Sequence, residues 1–472
     1  MKHGIIEFVK NFIRALSANV LRIVFTLVLT LLLPKLLGQE EYGMWQLYLF
    51  YVTYASYNSF GWSEGIYLKY GGQEYHKLNK NLIAGQVWSV TIYELVLNCV
   101  IGVATVSVAP DSAKSMILCL AFISAGFDTV RYMLQSLLQC TNRIKEYASI
   151  VMMERVLFFS LAILFILCGS RDYASFIYSE IFARIISLIY AVWVCRDVVF
   201  TRAVSFGETW QEAKYLICCG FKLSFASLAS QLIIGVVRFA VEREWGTVVF
   251  GKVSLTLSMS NMMITCLMAV SVVLFPILRR MEEQKLKTLY SVMRMILTVP
   301  LYAILLAYIP FKFLLCLWLP QYAESLKYLA ILFPICIYEV RTTILNNTYF
   351  KTYRKENLIL KINIITVAVS LVFTFITVGL LKNLDLAVLS IVLLMLIKCW
   401  LSELMLRPMV GKIPMGDVVQ ELLLTMVFII SSWYISDYKA SLIYMVTYGI
   451  YLVVNRAQIK EKWNVLKNMI RE

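Results

Sequence analysis

Leu358–Leu381 reads LILKINIITVAVSLVFTFITVGLL, an apolar run of 24 residues whose only charge is Lys361. About 20 mostly apolar residues in a helix cover the ~30 Å hydrocarbon core of a bilayer, so this run is long enough to cross one. Transmembrane strands are roughly half as long and alternate apolar with polar positions, which this run does not do. In lipid only helices and closed barrels satisfy every backbone amide and carbonyl, and a long unbroken run selects the helix. After the short break Lys382–Asp385, a second run of the same kind fills 386–406.

Working outward, apolar runs separated by short polar breaks recur along the chain. They fall at about 12–37, 43–66, 82–108, 115–138, 148–168, 174–195, 215–237, 248–278, 288–309, 326–347, 358–381, 386–406, 418–436 and 441–455. The expected fold is therefore all-α, a polytopic membrane protein of about fourteen transmembrane helices. Composition agrees: the 472 residues are 60% hydrophobic and 15% charged, with a mean hydropathy of +0.75. Soluble domains carry about 45–50% apolar and about 25% charged residues, so a soluble fold is excluded. The first run, Phe12 to Leu37, exceeds the roughly 7–15 residues of a signal-peptide core and lacks a small-residue cleavage site, so it is expected to remain as a span.

Orientation follows from the cations in the connections. One alternate set, with Lys69, Lys77, Lys80, Arg143, Arg196, Arg279, Lys351, Arg407 and the basic tail among its members, holds about 24 lysines and arginines, and the other about 8. Both termini are expected in the cytoplasm, and the protein in the cytoplasmic membrane. The net charge of +15 is mostly this topology signal; its dispersal among loops argues against nucleic-acid binding. Two histidines and eleven scattered cysteines form no metal motif, no disulfide framework and no nucleophile–histidine couple, so neither a metal nor another cofactor is expected. A Walker A glycine loop is also missing, which argues against direct ATP hydrolysis.

The stretch 196–214 is a natural seam between two six-helix halves. The expected organisation is an N-terminal lobe over 1–200, a C-terminal lobe over 201–410, and two further helices with a tail over 411–472. Tyr42-Gly43 opens the second span and Phe250-Gly251 the eighth, an offset of 208 residues that fits a parallel repeat with the substrate site between the halves.

Ionisable residues at membrane depth cost about 2.5–3.5 kcal/mol each on insertion scales, so they are expected to face a partner or a wet cavity. The spans hold Arg14, Arg22, Glu94, Asp128, Arg131, Glu154, Arg155, Glu180, Arg184, Lys222, Lys252, Arg294, Glu339 and Arg341. Asp128 with Arg131 and Glu180 with Arg184 stand at i,i+3 and i,i+4, where they can neutralise one another. Arg294, Arg238, Glu64 and Lys222 lie near span ends and can snorkel to the headgroups. Arg14 and Arg22, about 80° apart on one helix, have no acid on that helix and require an anion or a hydrated cavity. Lys252 likewise lacks a local acid. The expected cationic cavity is lined by Arg14, Arg22, Lys252, Arg131, Arg155 and Arg184, and the carboxyls open to ion coupling are Glu94, Asp128, Glu154 and Glu180.

Leu37-Gly38-Gln39-Glu40-Glu41-Tyr42-Gly43-Met44-Trp45, followed by Gly61-Trp62-Ser63-Glu64-Gly65-Ile66-Tyr67-Leu68-Lys69-Tyr70-Gly71-Gly72, resembles the opening of Wzx-type polysaccharide and O-antigen flippases. These belong to the multidrug/oligosaccharidyl-lipid/polysaccharide (MOP) exporter superfamily. Phe275-Pro276, Trp318-Leu319-Pro320-Gln321-Tyr322 and Asn347 to Glu356 continue the likeness, which extends to about residue 410. The sequence departs from that pattern at Val237-Arg238, where many relatives place an acid before the arginine. The resemblance implies a V-shaped bundle of six plus six helices with alternating access, like that of multidrug exporters of the same superfamily, and two added C-terminal helices. It also implies the substrate: an oligosaccharide on undecaprenyl pyrophosphate, passed between leaflets. The bilayer, a polysaccharide polymerase and chain-length proteins are the partners that go with it.

Stripping sugar hydroxyls of water costs about 4–8 kcal/mol each on the cyclohexane scale, so such a substrate does not cross unaided. Arg14, Arg22 and Lys252 suit its pyrophosphate. The competing readings are a multidrug exporter and a membrane polymerase or glycosyltransferase. An enzyme of the latter kind needs an extended loop of catalytic acids, whereas Asp111, Asp172, Asp385 and Asp437 stand singly on tight turns.

Overall fold

The computed structural model describes residues 24–108, 112–268, 283–411, 414–435 and 438–471. Among them the regular structure is entirely helical. Part of the first expected span, with Arg14 and Arg22, lies outside the described residues, as do Phe275-Pro276, Arg279, Asp111 and Asp437. Among the described residues, nine helices are long and apolar enough to cross a membrane, or ten when one bent pair is taken as a single span, and Val24–Leu36 and Tyr438–Val454 are shorter apolar helices. One of the nine, Phe206–Met268, has 63 residues, about 94 Å at 1.5 Å per residue, and so holds two expected spans. The helices account for approximately the fourteen spans read from the sequence. Packing divides the chain into two compact units, 1–228 and 229–472.

The first unit contains α1 (Val24–Leu36), α2 (Gln39–Ala55), α3 (Trp62–Tyr70), α4 (Lys80–Val108), α5 (Ser112–Cys140), α6 (Ile144–Leu167), α7 (Tyr173–Val194), the short α8 (Arg196–Val199) and the start of α9 (Phe206–Met268). The expected continuous span 43–66 is broken: Ser56–Ser59 tighten into a 3-10 turn, and Phe60 and Gly61 follow in left-handed conformations. The polar run Ser56, Asn58, Ser59 supplies the turn, and the Asn58 carbonyl accepts a hydrogen bond from the Tyr93 hydroxyl at 2.9 Å. Glycines then let α3 lie against α9. A Cβ on Gly220 would overlap the Gly61 carbonyl, and one on Gly65 would overlap the backbone of Leu216. Trp62 donates to Gln86 Oε1 at 3.0 Å, and Gln86 donates on to the Thr209 carbonyl at 2.8 Å, so α3, α4 and α9 share one buried hydrogen-bond chain. Around it pack Ile66, Met133, Leu137, Ile150 and Leu216.

Within the second unit, α9 continues to a break at Gly246, whose φ of 80° suits a residue without a side chain. Arg238, eight residues before the break, donates to Ser254 Oγ at 2.8 Å and lies over the Phe250 ring at 4.9 Å, which shows the two legs of α9 side by side as a helical hairpin. Then come α10 (Glu283–Ile304), α11 (Tyr308–Trp318), the short α12 (Leu329–Leu332), α13 (Ile335–Arg341) and α14 (Asn347–Thr352). The helical stretches Ser325–Leu332 and Ile335–Thr352 meet at 41°, at Pro334, which has no amide hydrogen to donate. Last are α15 (Glu356–Thr374), α16 (Leu384–Val410), α17 (Met415–Tyr434), α18 (Tyr438–Val454) and α19 (Arg456–Arg471). Asn383 caps α16 by accepting from the Leu386 amide at 3.1 Å, and Gly411, at a φ of 93° that suits a residue without a side chain, ends it.

Candidate functional site

Each unit is built around a buried ionic cluster. In the first, Asp128 and Arg131 on α5, Glu154 on α6, and Glu180 and Arg184 on α7 come together. Arg131 donates to Glu154 Oε2 at 2.6 Å and also binds Asp128, the partner expected from their spacing. Arg184 donates to Glu180 Oε1 at 2.7 Å and lies 3.9 Å from Glu154 Oε1. Glu154 thus stands between two arginines on two different helices. Arg131, Glu154, Glu180 and Arg184 are all buried. Tyr48 on α2 donates to Ser124 Oγ at 2.8 Å, and the Ser124 carbonyl accepts from Arg184 at 3.4 Å, which ties a fourth helix to the cluster. Arg155 is half-buried, with its Nε shielded from solvent and unbonded. Counting it, three arginines face three carboxylates, and the cluster is formally neutral.

Glu94 on α4 differs. It is only 4% exposed, its Oε1 is buried without a hydrogen-bond partner, and among the described residues no cation pairs with it. Gly126 on α5 lies opposite: a Cβ there would stand 3.7 Å from Glu94 Oε2. Among the described residues, Glu94 is therefore a buried carboxyl outside any salt bridge.

The second unit holds a cluster that sequence reading found only in part. Arg294 on α10 binds Glu403 Oε1 on α16 at 3.2 Å, Glu421 Oε1 on α17 at 2.9 Å and Asp417 at 3.4 Å. Arg341 on α13 donates to Glu421 Oε2 at 2.6 Å and lies 3.2 Å from Glu403 Oε1. The Tyr302 hydroxyl donates to the Glu421 carbonyl at 3.0 Å, and Tyr338 shares a 2.7 Å bond with Thr425. Lys398 pairs with Glu339 at 3.1 Å beside it.

One expectation changes here. Arg294 does not snorkel to the headgroups: it is 5% exposed, because two glutamates and an aspartate from α16 and α17 meet it inside the unit. The thirteenth expected span, the first of the two added C-terminal helices, supplies Asp417 and Glu421 to this cluster. Lys398, Glu403 and Glu421 went unnoticed because their buried partners stand on other helices, whereas spacing at i,i+3 or i,i+4 announces only pairs within one helix.

Of the remaining expected site residues, Lys252 is half-buried on the second leg of α9 and unpaired among the described residues. Lys222 is exposed. At the loop end of the first unit, a cavity of about 790 Å³ opens beside Tyr75, Arg143 and Asp197. Arg143 stacks 4.4 Å over the Tyr75 ring, whose hydroxyl donates to Asp197 at 2.9 Å, while Lys80 pairs with Asp197 at 2.7 Å. Burial raises the Asp197 pKa, but the bonds from Lys80 and Tyr75 outweigh it and hold the carboxyl below its ordinary value.

No protein-family profile and no curated protein matches the sequence. Solved structures do match the fold. A lipid II flippase, MurJ, in an inward closed conformation is similar with a TM-score of 0.64 and 10% identity, over 96% of this chain and 100% of that one. An inward-facing multidrug resistance MATE family transporter of the MOP superfamily is similar with a TM-score of 0.62 and 13% identity, over 88% and 98%. A MOP superfamily transporter from Pyrococcus furiosus follows at 0.52 and 13%, over 84% and 94%. The fold is thus that of MATE and MOP transporters.

Proposed function

We propose that this protein is a flippase that carries an oligosaccharide linked to polyprenyl pyrophosphate across the cytoplasmic membrane by alternating access. The observation that carries the reading is the extent of the fold likeness: the lipid II flippase matches 96% of the chain, whereas the multidrug transporter matches 88%. The C-terminal helices that distinguish this chain are also integral, because α17 supplies two of the three acids that hold Arg294 and Arg341.

Arg131, Arg155 and Arg184, matched in number by carboxylates, frame the first unit in this proposal. Arg14, Arg22 and Lys252 bind the pyrophosphate, for which guanidinium and ammonium groups are the natural donors. Glu94 is the proton-exchanging group, with Asp128, Glu154 and Glu180 committed to arginines.

Deletion of the gene, with the lipid-linked oligosaccharide then measured in each leaflet, tests the substrate. Accumulation in the inner leaflet, reversed by the wild-type protein and not by Arg14→Glu, supports the proposal. Unchanged leaflet distribution together with lost dye export would assign the protein to multidrug export instead, the reading that the MATE likeness favours. Glu94→Gln, at normal abundance, is expected to abolish the dependence of transport on an imposed pH gradient.

A further inference from the structure

The helix α19, RAQIKEKWNVLKNMIR, begins at Arg456, with a single residue between it and Val454, where the apolar α18 ends. Asn455 makes the turn and fixes it, donating to Gln420 Oε1 on α17 at 2.7 Å and to the Tyr451 carbonyl at 2.9 Å. Further on, Lys462 donates to Ser291 Oγ on α10 at 3.2 Å, and Leu466 packs on the apolar cluster around Leu286 and Tyr290. Thus α19 lies where α18 ends and where α10 and α17 begin, at one margin of the apolar helices of this unit.

At 100° per residue, the packed positions Ile459, Lys462 and Leu466 fall within an arc of about 60°. Arg456, Lys460 and Lys467 fall within another arc of about 40°, roughly 110° away, and Trp463 lies at its edge on the side of the packed face. All four are exposed, Trp463 to 48%, and among the described residues none of the three cations is ion-paired. The one acid of the helix, Glu461, is about 100° from the nearest of them. Val453 and Val454, just before the turn, are 73% and 65% exposed, as lipid-facing residues are.

We propose that this stripe is a binding surface for anionic phospholipid headgroups, which hold α19 in the plane of the membrane. The chemistry is complementary at each position. Indole favours the headgroup level, where its ring meets hydrocarbon and its N–H meets water. Lysine and arginine beside it reach phosphate oxygens, and each cation near an anionic surface contributes about 1 kcal/mol, or roughly fivefold in affinity. An acidic protein partner would use the cations but not a tryptophan set at the lipid margin next to Val453 and Val454. The inference concerns the bilayer and holds whatever the cargo.

The test uses the full-length protein in mixed micelles, with retained lipid measured by native mass spectrometry as phosphatidylglycerol competes with phosphatidylcholine. The wild type is expected to prefer phosphatidylglycerol, and Arg456→Gln/Lys460→Gln/Lys467→Gln to lose that preference by roughly fivefold for each cation removed. Independently, brominated phosphatidylglycerol is expected to quench wild-type fluorescence more than it quenches Trp463→Phe. An unchanged preference in the triple variant, or equal quenching of wild type and Trp463→Phe, would overturn the proposal and leave the stripe to an acidic protein.

Discussion

Glu154 shows how much one side chain does in this membrane protein. It accepts from Arg131 at 2.6 Å and lies 3.9 Å from Arg184, so it joins α6 to α5 and α7 at once. Removing one member of a buried ion pair strands the other and costs about 3–5 kcal/mol. Glu154→Ala is therefore expected to lower the thermal unfolding midpoint in detergent sharply, whereas Glu94→Gln, which strands no arginine, leaves it within a degree or two; a fluorescence melt of both variants checks this. Most of the charged residues in the first ten spans were legible as soon as the spans were placed, because each interrupts an apolar run, whereas Lys398, Glu403 and Glu421 further on were passed over. Their partners were legible only where sequence spacing puts both on one helix face, as for Asp128 with Arg131 and Glu180 with Arg184. The bonds from Arg131 to Glu154 and from Arg341 to Glu421 join positions 23 and 80 residues apart, and no periodicity within a single helix encodes them.

Among the elements, apolar runs gave nearly all the spans, since length and hydropathy are properties of a segment alone. Breaks within spans were harder to see. The turn at Ser56–Gly61 lies in a stretch apolar enough to read as continuous, and its glycines signal close packing only once α9 is present. That packing has a direct consequence. Gly65→Ala and Gly220→Ala each put a methyl group into a neighbouring backbone, and overpacking of this kind costs about 1–3 kcal/mol. Gly102→Ala on α4 meets nothing within 4 Å and is expected to stabilise the helix by about 0.5–1 kcal/mol. Unfolding midpoints of the three variants should move in these opposite directions.

For the whole molecule, hydropathy alone predicts a membrane protein, and the resemblance implies that the last two helices are added to a bundle of six plus six. The structure makes α17 a supplier of charge to the interior of the second unit. A chain ending at residue 411 would leave Arg294 and Arg341 buried with Glu403 alone, two cations against one carboxylate. Its membrane abundance, measured by immunoblot against the full chain, is expected to fall at least tenfold, where removal of a peripheral pair would leave abundance near normal. Charge also bears on synthesis, through the break at Gly246. An insertion machine receives α9 as two apolar legs closed by a tip bearing Glu242, Arg243 and Glu244, so the legs can leave the ribosome and partition into lipid as one piece. Arg238 then meets Ser254 and the Phe250 ring as soon as the second leg has emerged, and its charge is sheltered before α10 has been made.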